Sequence, residues 1–321
     1  MRMAFVGKGG SGKTTLCSMM VRYAQQKGLP LLAIDADINQ HLGEAVFGAD
    51  YQSQKPDLGT ELAQLKTLLL GKSTVLNSTS EMVKTMLPTQ GSHLVTLSES
   101  DAVLSTFAEK FDKPNQHFMH VCGFDETDIG TKCFHAKTGA VELVLNHLVD
   151  DQNDVVAVDM TAGADAFASW LFTRFDVTFI VVEPTLKSLS VYKQYKEYAK
   201  DYPLTIKVIG NKIADADDLE FLQAHCGDDL IGTVTHSKWV KRAKKGLPQV
   251  MADLEPQNAE TLERALSFLQ SQKRDWTQYW DMGAEFHTKN AVSWANEAAG
   301  RDVASLIDMD FLLSLNAAKA A

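Results

Sequence analysis

The residues best suited to chemistry lie near the start of the chain, where residues 7–15 read G-K-G-G-S-G-K-T-T. This stretch fits the phosphate-binding pattern G-x-x-x-x-G-K-[ST], in which Lys13 reaches the terminal phosphates of a nucleotide and Thr14 ligates Mg²⁺. Its glycines let the backbone curl so that successive N–H groups point at phosphate oxygens. We therefore predict that one continuous stretch binds the nucleotide: Gly9, Gly10, Ser11, Gly12, Lys13, Thr14 and Thr15.

Two further segments place carboxylates directly after apolar runs that read as strands. Asp35 and Asp37 follow residues 31–34, and both can approach a phosphate-bound Mg²⁺ and its water. Asp159 ends the run 155–158, where it can hold a Mg²⁺-bound water, and the amide of Gly163 can sense the γ-phosphate. The predicted Mg²⁺ ligands are Thr14, Asp35 and Asp159.

A third polar segment, Asn211 and Lys212, follows the apolar run 204–209. An asparagine amide there can both donate to and accept from the edge of adenine. The guanine-specific form N-K-x-D is absent, because position 214 is alanine. We therefore expect ATP and ADP rather than guanine nucleotides as ligands.

The elements that must position these residues alternate between apolar strands and helical stretches. This alternation predicts an α/β fold, a doubly wound and mostly parallel sheet of seven or eight strands with helices on both faces. Active residues should then lie at the carboxyl ends of the strands. The predicted strands are 2–6, 31–34, 94–97, 155–158, 177–182, 204–209 and 230–233. The predicted helices are 14–27, 60–70, 78–86, 139–150, 164–173, 186–200, 215–226, 237–245, 258–273, 276–297 and 303–316.

The chain divides into two predicted parts. Residues 1–254 are expected to form the nucleotide-binding domain, and residues 255–321 a helical C-terminal extension packed on it. Aromatic side chains at helical spacing in the extension are expected to make this packing: Trp276, Tyr279, Trp280 and Phe286.

The phosphate-binding loop has a second lysine, Lys8, directly after its first glycine. With K-G-G-S-G-K-T-T it resembles the deviant Walker A loop of the MinD/ParA-type ATPases. The resemblance implies that Lys8 reaches across a dimer interface to the partner's ATP, so that ATP binding makes a homodimer and hydrolysis releases it. It also implies that Asp37 orients the attacking water and that Asp35 is an outer-sphere metal partner. The implied catalytic residues are Lys8, Lys13 and Asp37.

The segment D-M-x-A-G at residues 159–163 is especially similar to the nickel-insertion branch of this family. That branch has C-x-C ahead of a helix and pools four thiolates from two subunits. Here Cys133 and His135 stand at the corresponding place, with Cys122 upstream. Thiolate and imidazole suit Zn²⁺ or Ni²⁺, so these three residues are a candidate shared metal site. The alternative is a set of unrelated cysteines and loop histidines.

Composition limits the remaining possibilities. A net charge of −10 disfavours a nucleic-acid partner, although residues 238–245 form a local basic cluster. The four cysteines have irregular spacing that does not suit a disulfide framework, and no apolar run is long enough to span a bilayer. We expect a cytoplasmic protein without membrane insertion that acts on a client protein of unknown identity. A DNA-partitioning protein and a small-molecule kinase are the alternatives, although a kinase leaves Lys8 without a role.

Overall fold

The structure, a computed structural model, describes residues 1–121, 134–247 and 249–317. Eight strands in these ranges form one sheet with the order β3-β4-β2-β5-β1-β6-β7-β8. Neighbouring strands are parallel except for the antiparallel pair β3 and β4. The strands are β1 (Arg2–Gly7), β2 (Leu31–Ala36), β3 (Glu109–Lys110), β4 (Gln116–His120), β5 (Val155–Met160), β6 (Val177–Val182), β7 (Ile206–Ile213) and β8 (Leu230–Thr235).

Helices cover both faces of this sheet, which confirms the predicted doubly wound α/β fold. The α-helices are α1 (Lys13–Lys27), α2 (Leu42–Phe47), α3 (Leu62–Leu70), α4 (Ala102–Phe107), α5 (Phe134–His147), α6 (Leu186–Ala199), α7 (Ala216–Cys226), α8 (Lys238–Ala243), α9 (Pro256–Ser271), α10 (Trp276–Asn290), α11 (Asn296–Ala299) and α12 (Met309–Ala317). Short 3₁₀ helices occur at Asp165–Ala168, Trp170–Arg174, Gly227–Asp229, Met251–Asp253 and Ala304–Leu306, and a π-helix at Ala291–Ala295.

The core lies on both sides of the sheet because successive side chains of a strand point to opposite faces. In β1, Ala4 and Val6 join the cluster that includes α5 and α6, whereas Met3 and Phe5 join the cluster under α1 and α9. Burial on both faces explains why the central strands read as continuous apolar runs rather than alternating ones. No helix in the described part of the chain combines the length and the apolarity that crossing a bilayer requires.

Several predicted elements are wrong. Residues 94–97 form only a single bridge, between Val95 and Leu148, and residues 78–86 form turns rather than a helix. The predicted helix 164–173 is a pair of 3₁₀ helices, and two short helices, α2 and α4, were not predicted. The strands β3 and β4 were not predicted either. The polar residues Gln116, His117 and His120 interrupt the apolar pattern by which β4 could have been found.

The C-terminal helices pack onto the body of the protein. Helix α9 lies against β8 and α1, whereas α10 lies against the segment Trp170–Arg174 on the other face of the sheet. Tyr279 and Trp280 of α10 are buried with Trp170, and Trp276 and Phe286 pack around them. The division into a nucleotide-binding domain and an extension at residue 254 stays a prediction. Helix α9, on the extension side of it, packs into the same core as β1 and α1.

Candidate functional site

The phosphate-binding loop connects β1 to α1 at the carboxyl edge of the sheet. Gly10 and Gly12 have φ angles of 83° and 97°, which other residues rarely adopt. Gly12 is also the N-cap of α1 and supplies no side-chain hydrogen bond. The N–H groups of the first helical turn are therefore available to donate hydrogen bonds to a bound anion, as at other phosphate sites on helix N-termini.

The predicted catalytic pair is brought together. The Lys13 ammonium lies 3.5 Å from Oδ2 of Asp37, and both side chains are 7% exposed. The other oxygen of Asp37 accepts hydrogen bonds from the backbone N–H and the side-chain amide of Asn39, each 2.9 Å long. Asp37 is thus held in one orientation beside the loop, with a cation as its neighbour.

Asp35 and Asp159 are neighbours because β2 pairs with β5 and the two residues are in register. Both are buried. Asp35 accepts hydrogen bonds from the backbone N–H groups of Leu42, at 2.8 Å, and Asp37, at 3.2 Å. The carboxylate oxygens of Asp159, by contrast, are buried and accept no well-formed hydrogen bond from the described residues, with Thr14 as their polar neighbour.

The electrostatics of these two carboxylates favour binding of a cation. Burial raises the pKa of Asp35 to about 6, against the effect of its two backbone hydrogen bonds. Burial also raises the pKa of Asp159 well above its ordinary range, and the charge of Asp35 adds to the rise, while Thr14 and Lys13 oppose it. A divalent cation near Thr14 would stabilise both ionised groups.

Mg²⁺ therefore fits these residues, with a limited set of protein ligands. Within the described ranges, no group of three or more His, Cys, Asp or Glu side chains is placed to hold a metal ion. Mg²⁺ commonly uses one or two carboxylates and completes its shell with water and substrate phosphates. Thr14, Asp35 and Asp159 suit such a phosphate-dependent site, and this ligand set stays a prediction.

The segment after Asp159 is tied to the phosphate-binding loop. The N–H of Gly163 donates to the carbonyl of Gly7 over 2.9 Å, with a φ of 82° at Gly163. A residue that contacts the loop in this way can respond to a phosphate bound there.

Lys8 lies on the open side of the loop, next to the exposed Gly9 and Gly10. Its side chain is half-buried, and its ammonium has no ion pair or hydrogen bond within the ranges that the structure describes. Lys8 therefore has no local partner of the kind that Lys13 has in Asp37.

Asn211 and Lys212 contact the loop backbone. The Asn211 amide donates to the carbonyl of Ser11 over 2.7 Å, and Lys212 donates to the carbonyl of Gly10 over 2.9 Å and pairs with Glu183. Both residues lie inside β7 rather than after it. They support the loop in this structure, and an adenine contact by Asn211 stays a prediction.

A cavity of about 730 Å³ opens beside the loop at Thr14 and Thr15. It is also lined by Arg22 and Lys244 and by Trp239, whose indole N–H donates to Val250 O over 3.0 Å. Neither Arg22 nor Trp239 was predicted to line a site, because an inward position on a helix is the only signal that the sequence carries for them. The cavity is large enough for a nucleoside.

The predicted transition-metal site is not tested by the structure and stays a prediction. Cys122 and Cys133 lie outside the described residues, as does the side chain of His135. Cys17 and Cys226 are free and buried, as expected for small packed thiols.

Comparisons with known proteins agree with this geometry. Residues 3–261 match a family described as the CobQ/CobB/MinD/ParA nucleotide binding domain. The carbon monoxide dehydrogenase accessory protein CooC of Rhodospirillum rubrum is 27% identical over 250 residues, which are 76% of this chain and 86% of that protein. An uncharacterized ATP-binding protein of Methanocaldococcus jannaschii is 24% identical over 278 residues, 84% of this chain and 97% of that protein.

Solved structures with a similar fold include a member of the MinD group. The crystal structure of the cell division ATPase MinD of Pyrococcus furiosus superposes with a TM-score of 0.53 at 16% identity, covering 83% of this chain and 98% of that one. The matched residues contain the loop, both aspartate segments and Asn211. The chain belongs to the CobQ/CobB/MinD/ParA family of nucleotide-binding proteins.

Proposed function

We propose that this protein is a Mg²⁺-dependent ATPase that forms a homodimer around ATP and uses hydrolysis to act on a client protein. The observation that supports it best is the convergence of Lys13, Asp37, Asp35 and Asp159 beside the open N-terminus of α1. Phosphoryl transfer depends mainly on positioning and charge neutralisation, which this set can supply.

The Lys13–Asp37 pair suggests how the site responds to its substrate. A bound triphosphate competes with Asp37 for the Lys13 ammonium, because the phosphates carry more negative charge. Lys13 would then turn to the phosphates and release the Asp37 carboxylate to orient a water at the γ-phosphate. Mg²⁺, held by Thr14 and through water by Asp35 and Asp159, would neutralise phosphate charge.

The dimer is tested through Lys8, which has no local partner. We expect Lys8→Ala to retain ADP binding to the monomer and to lose ATP-dependent dimerisation. Light scattering with Mg-ATP, in an Asp37→Ala background that preserves ATP, measures the mass directly. Lys72→Ala, at an exposed lysine in a distant loop, is the control and should still dimerise. An unchanged mass in all nucleotide states would refute a lysine acting across the interface.

The client task that we propose is metallocentre maturation or metal delivery, by analogy with CooC, whose name makes it an accessory protein of carbon monoxide dehydrogenase. We expect one Zn²⁺ or Ni²⁺ per dimer, bound more tightly with ATP, and lost in Cys133→Ser. Elemental analysis of untagged protein measures the stoichiometry. Cys226→Ser, at a buried thiol in α7, should retain the metal. Equal metal content in Cys133→Ser and wild type would end this assignment.

A ParA-like partitioning function is the alternative, and one observation favours it. Lys238, Lys241, Lys244 and Lys245 are exposed on and after α8, so the basic cluster is available to an anionic partner. The net charge of −10 argues against it. Salt-dependent binding of duplex DNA in the presence of ATP would favour this alternative over metal delivery.

A further inference from the structure

The residues that follow Gly163 do not form an α-helix. We call residues 164–174 the switch II segment; it contains the 3₁₀ helices Asp165–Ala168 and Trp170–Arg174. Short 3₁₀ helices have poorer hydrogen-bond geometry than α-helices. The position of the segment therefore depends on the elements that pack against it.

Helix α5 holds the segment from one side. The Trp170 indole N–H donates to Glu142, a buried carboxyl of α5. Burial raises the pKa of Glu142 to about 7. This contact comes from residues inside the matched family region.

Helix α10 holds the segment from another side, and α10 lies beyond the residues that match the family. The buried Arg174 guanidinium lies 3.9 Å from the centre of the Tyr279 ring and donates to the Tyr279 carbonyl over 2.9 Å. Gly283 lets the helix come close, since a Cβ there would be 3.3 Å from Nη1 of Arg174. Phe286 meets the ring of Phe172 edge-on, with centroids 5.5 Å apart.

The start of α10 is itself anchored, so the helix can act as a fixed support. Just before it, Arg274 bonds to Asp150 and Asp176 over 2.7–2.9 Å. The Tyr279 hydroxyl accepts from the buried Arg2 over 2.6 Å. A movement of the switch II segment would therefore occur against α10, where Phe286 contacts both Phe172 and Trp170.

We propose that α10 of the C-terminal extension positions the switch II segment, and that Phe286 is the positioning residue that links the extension to ATP turnover. Phe286 touches no substrate; it acts by restricting where Phe172, and through the chain Gly163, can move. The expected change in ATPase kinetics rests on the proposed function. The expected change in hydrogen exchange of the segment rests on the packing alone.

The chain offers a matched control for this residue. Phe268 of α9 is also a partly buried phenylalanine in a C-terminal helix, with a lysine ammonium 5.2 Å from its ring, as Lys289 lies 4.8 Å from the ring of Phe286. Phe268 packs on the opposite face of the sheet from the switch II segment. Phe268→Ala should therefore lose similar packing without affecting the segment.

The experiment compares Phe286→Ala, Phe286→Leu and Phe268→Ala in the full chain, by steady-state ATPase kinetics and by amide hydrogen exchange of residues 164–174. In Phe286→Ala we expect kcat to fall by about tenfold with ADP affinity unchanged, and exchange of the segment to accelerate. Phe286→Leu should recover most of both, and Phe268→Ala should alter neither.

Matching kinetics and matching exchange of residues 164–174 in Phe286→Ala and Phe268→Ala would overturn the inference. Absence of Mg-dependent phosphate release from the wild type would instead refute the proposed function. In that case the exchange comparison still decides whether α10 positions the segment, so the two failures can be distinguished.

Discussion

Replacing Asp37 by alanine is expected to slow ATP hydrolysis by about two to three orders of magnitude while leaving ATP bound. The reason is the position of the carboxylate, which lies beside Lys13 and is held by Asn39 at the edge of the phosphate-binding loop. Without it, the attacking water loses the group that orients it, whereas the loop contacts to the phosphates remain. Phosphate release and ATP binding, measured separately, give the two quantities.

Two variants show whether this effect belongs to Asp37. Asp50→Ala removes an exposed aspartate that follows α2 and should hydrolyse ATP at the wild-type rate. Lys13→Ala should abolish hydrolysis and also weaken nucleotide binding, because it removes the positive charge that contacts the phosphates. If Asp37→Ala hydrolyses ATP at the wild-type rate, Asp37 does not orient the attacking water.

The largest expected effect on stability comes from Asp150, a buried residue far in sequence from the nucleotide loop. Its carboxylate accepts from Arg2 and from Arg274, with contacts of 2.7–3.1 Å, and is 1% exposed. Asp150→Asn would leave the buried Arg2 guanidinium without its counter-charge, whereas Arg274 would stay paired with Asp176. Breaking such a pair costs about 3–5 kcal/mol of unfolding free energy. Urea denaturation of this variant beside Asp151→Asn, at the exposed neighbour, measures the difference.

The same residue predicts a pH dependence. Burial would raise the pKa of Asp150, but the charges of Arg2 and Arg274 outweigh it and hold that pKa well below its usual value of 3.8. A carboxyl with a depressed pKa contributes stability above its unfolded pKa and loses it as the pH falls through the folded one. The wild type should therefore lose this contribution only below about pH 4, and Asp150→Asn should show a shallower acid transition. Equal acid transitions in the two proteins would contradict the buried ion network.

The nucleotide loop and the two aspartate segments could be read directly from the chain. The loop pattern is local, because all its phosphate-binding groups lie in one stretch and its glycine conformations depend on neighbouring residues. Asp35 and Asp159 could be found because each ends an apolar run, and a run buried on both faces is the strongest strand signal in a parallel sheet.

Other features depended on pairing and packing between residues distant in sequence. The proximity of Asp35 to Asp159 requires β2 and β5 to be neighbours, an order that no local pattern encodes. Strand β4 was missed because its polar side chains are buried and make tertiary hydrogen bonds, as Gln116 does by donating to the carbonyl of Leu29.

The cavity beside Thr14 and the contact of Phe286 with Phe172 also arise only when helices meet across the fold. Residue types and spacing thus determined which groups could bind a nucleotide. The tertiary structure decided which of them lie together and what supports the switch, because long-range packing is set by the whole core rather than by any segment.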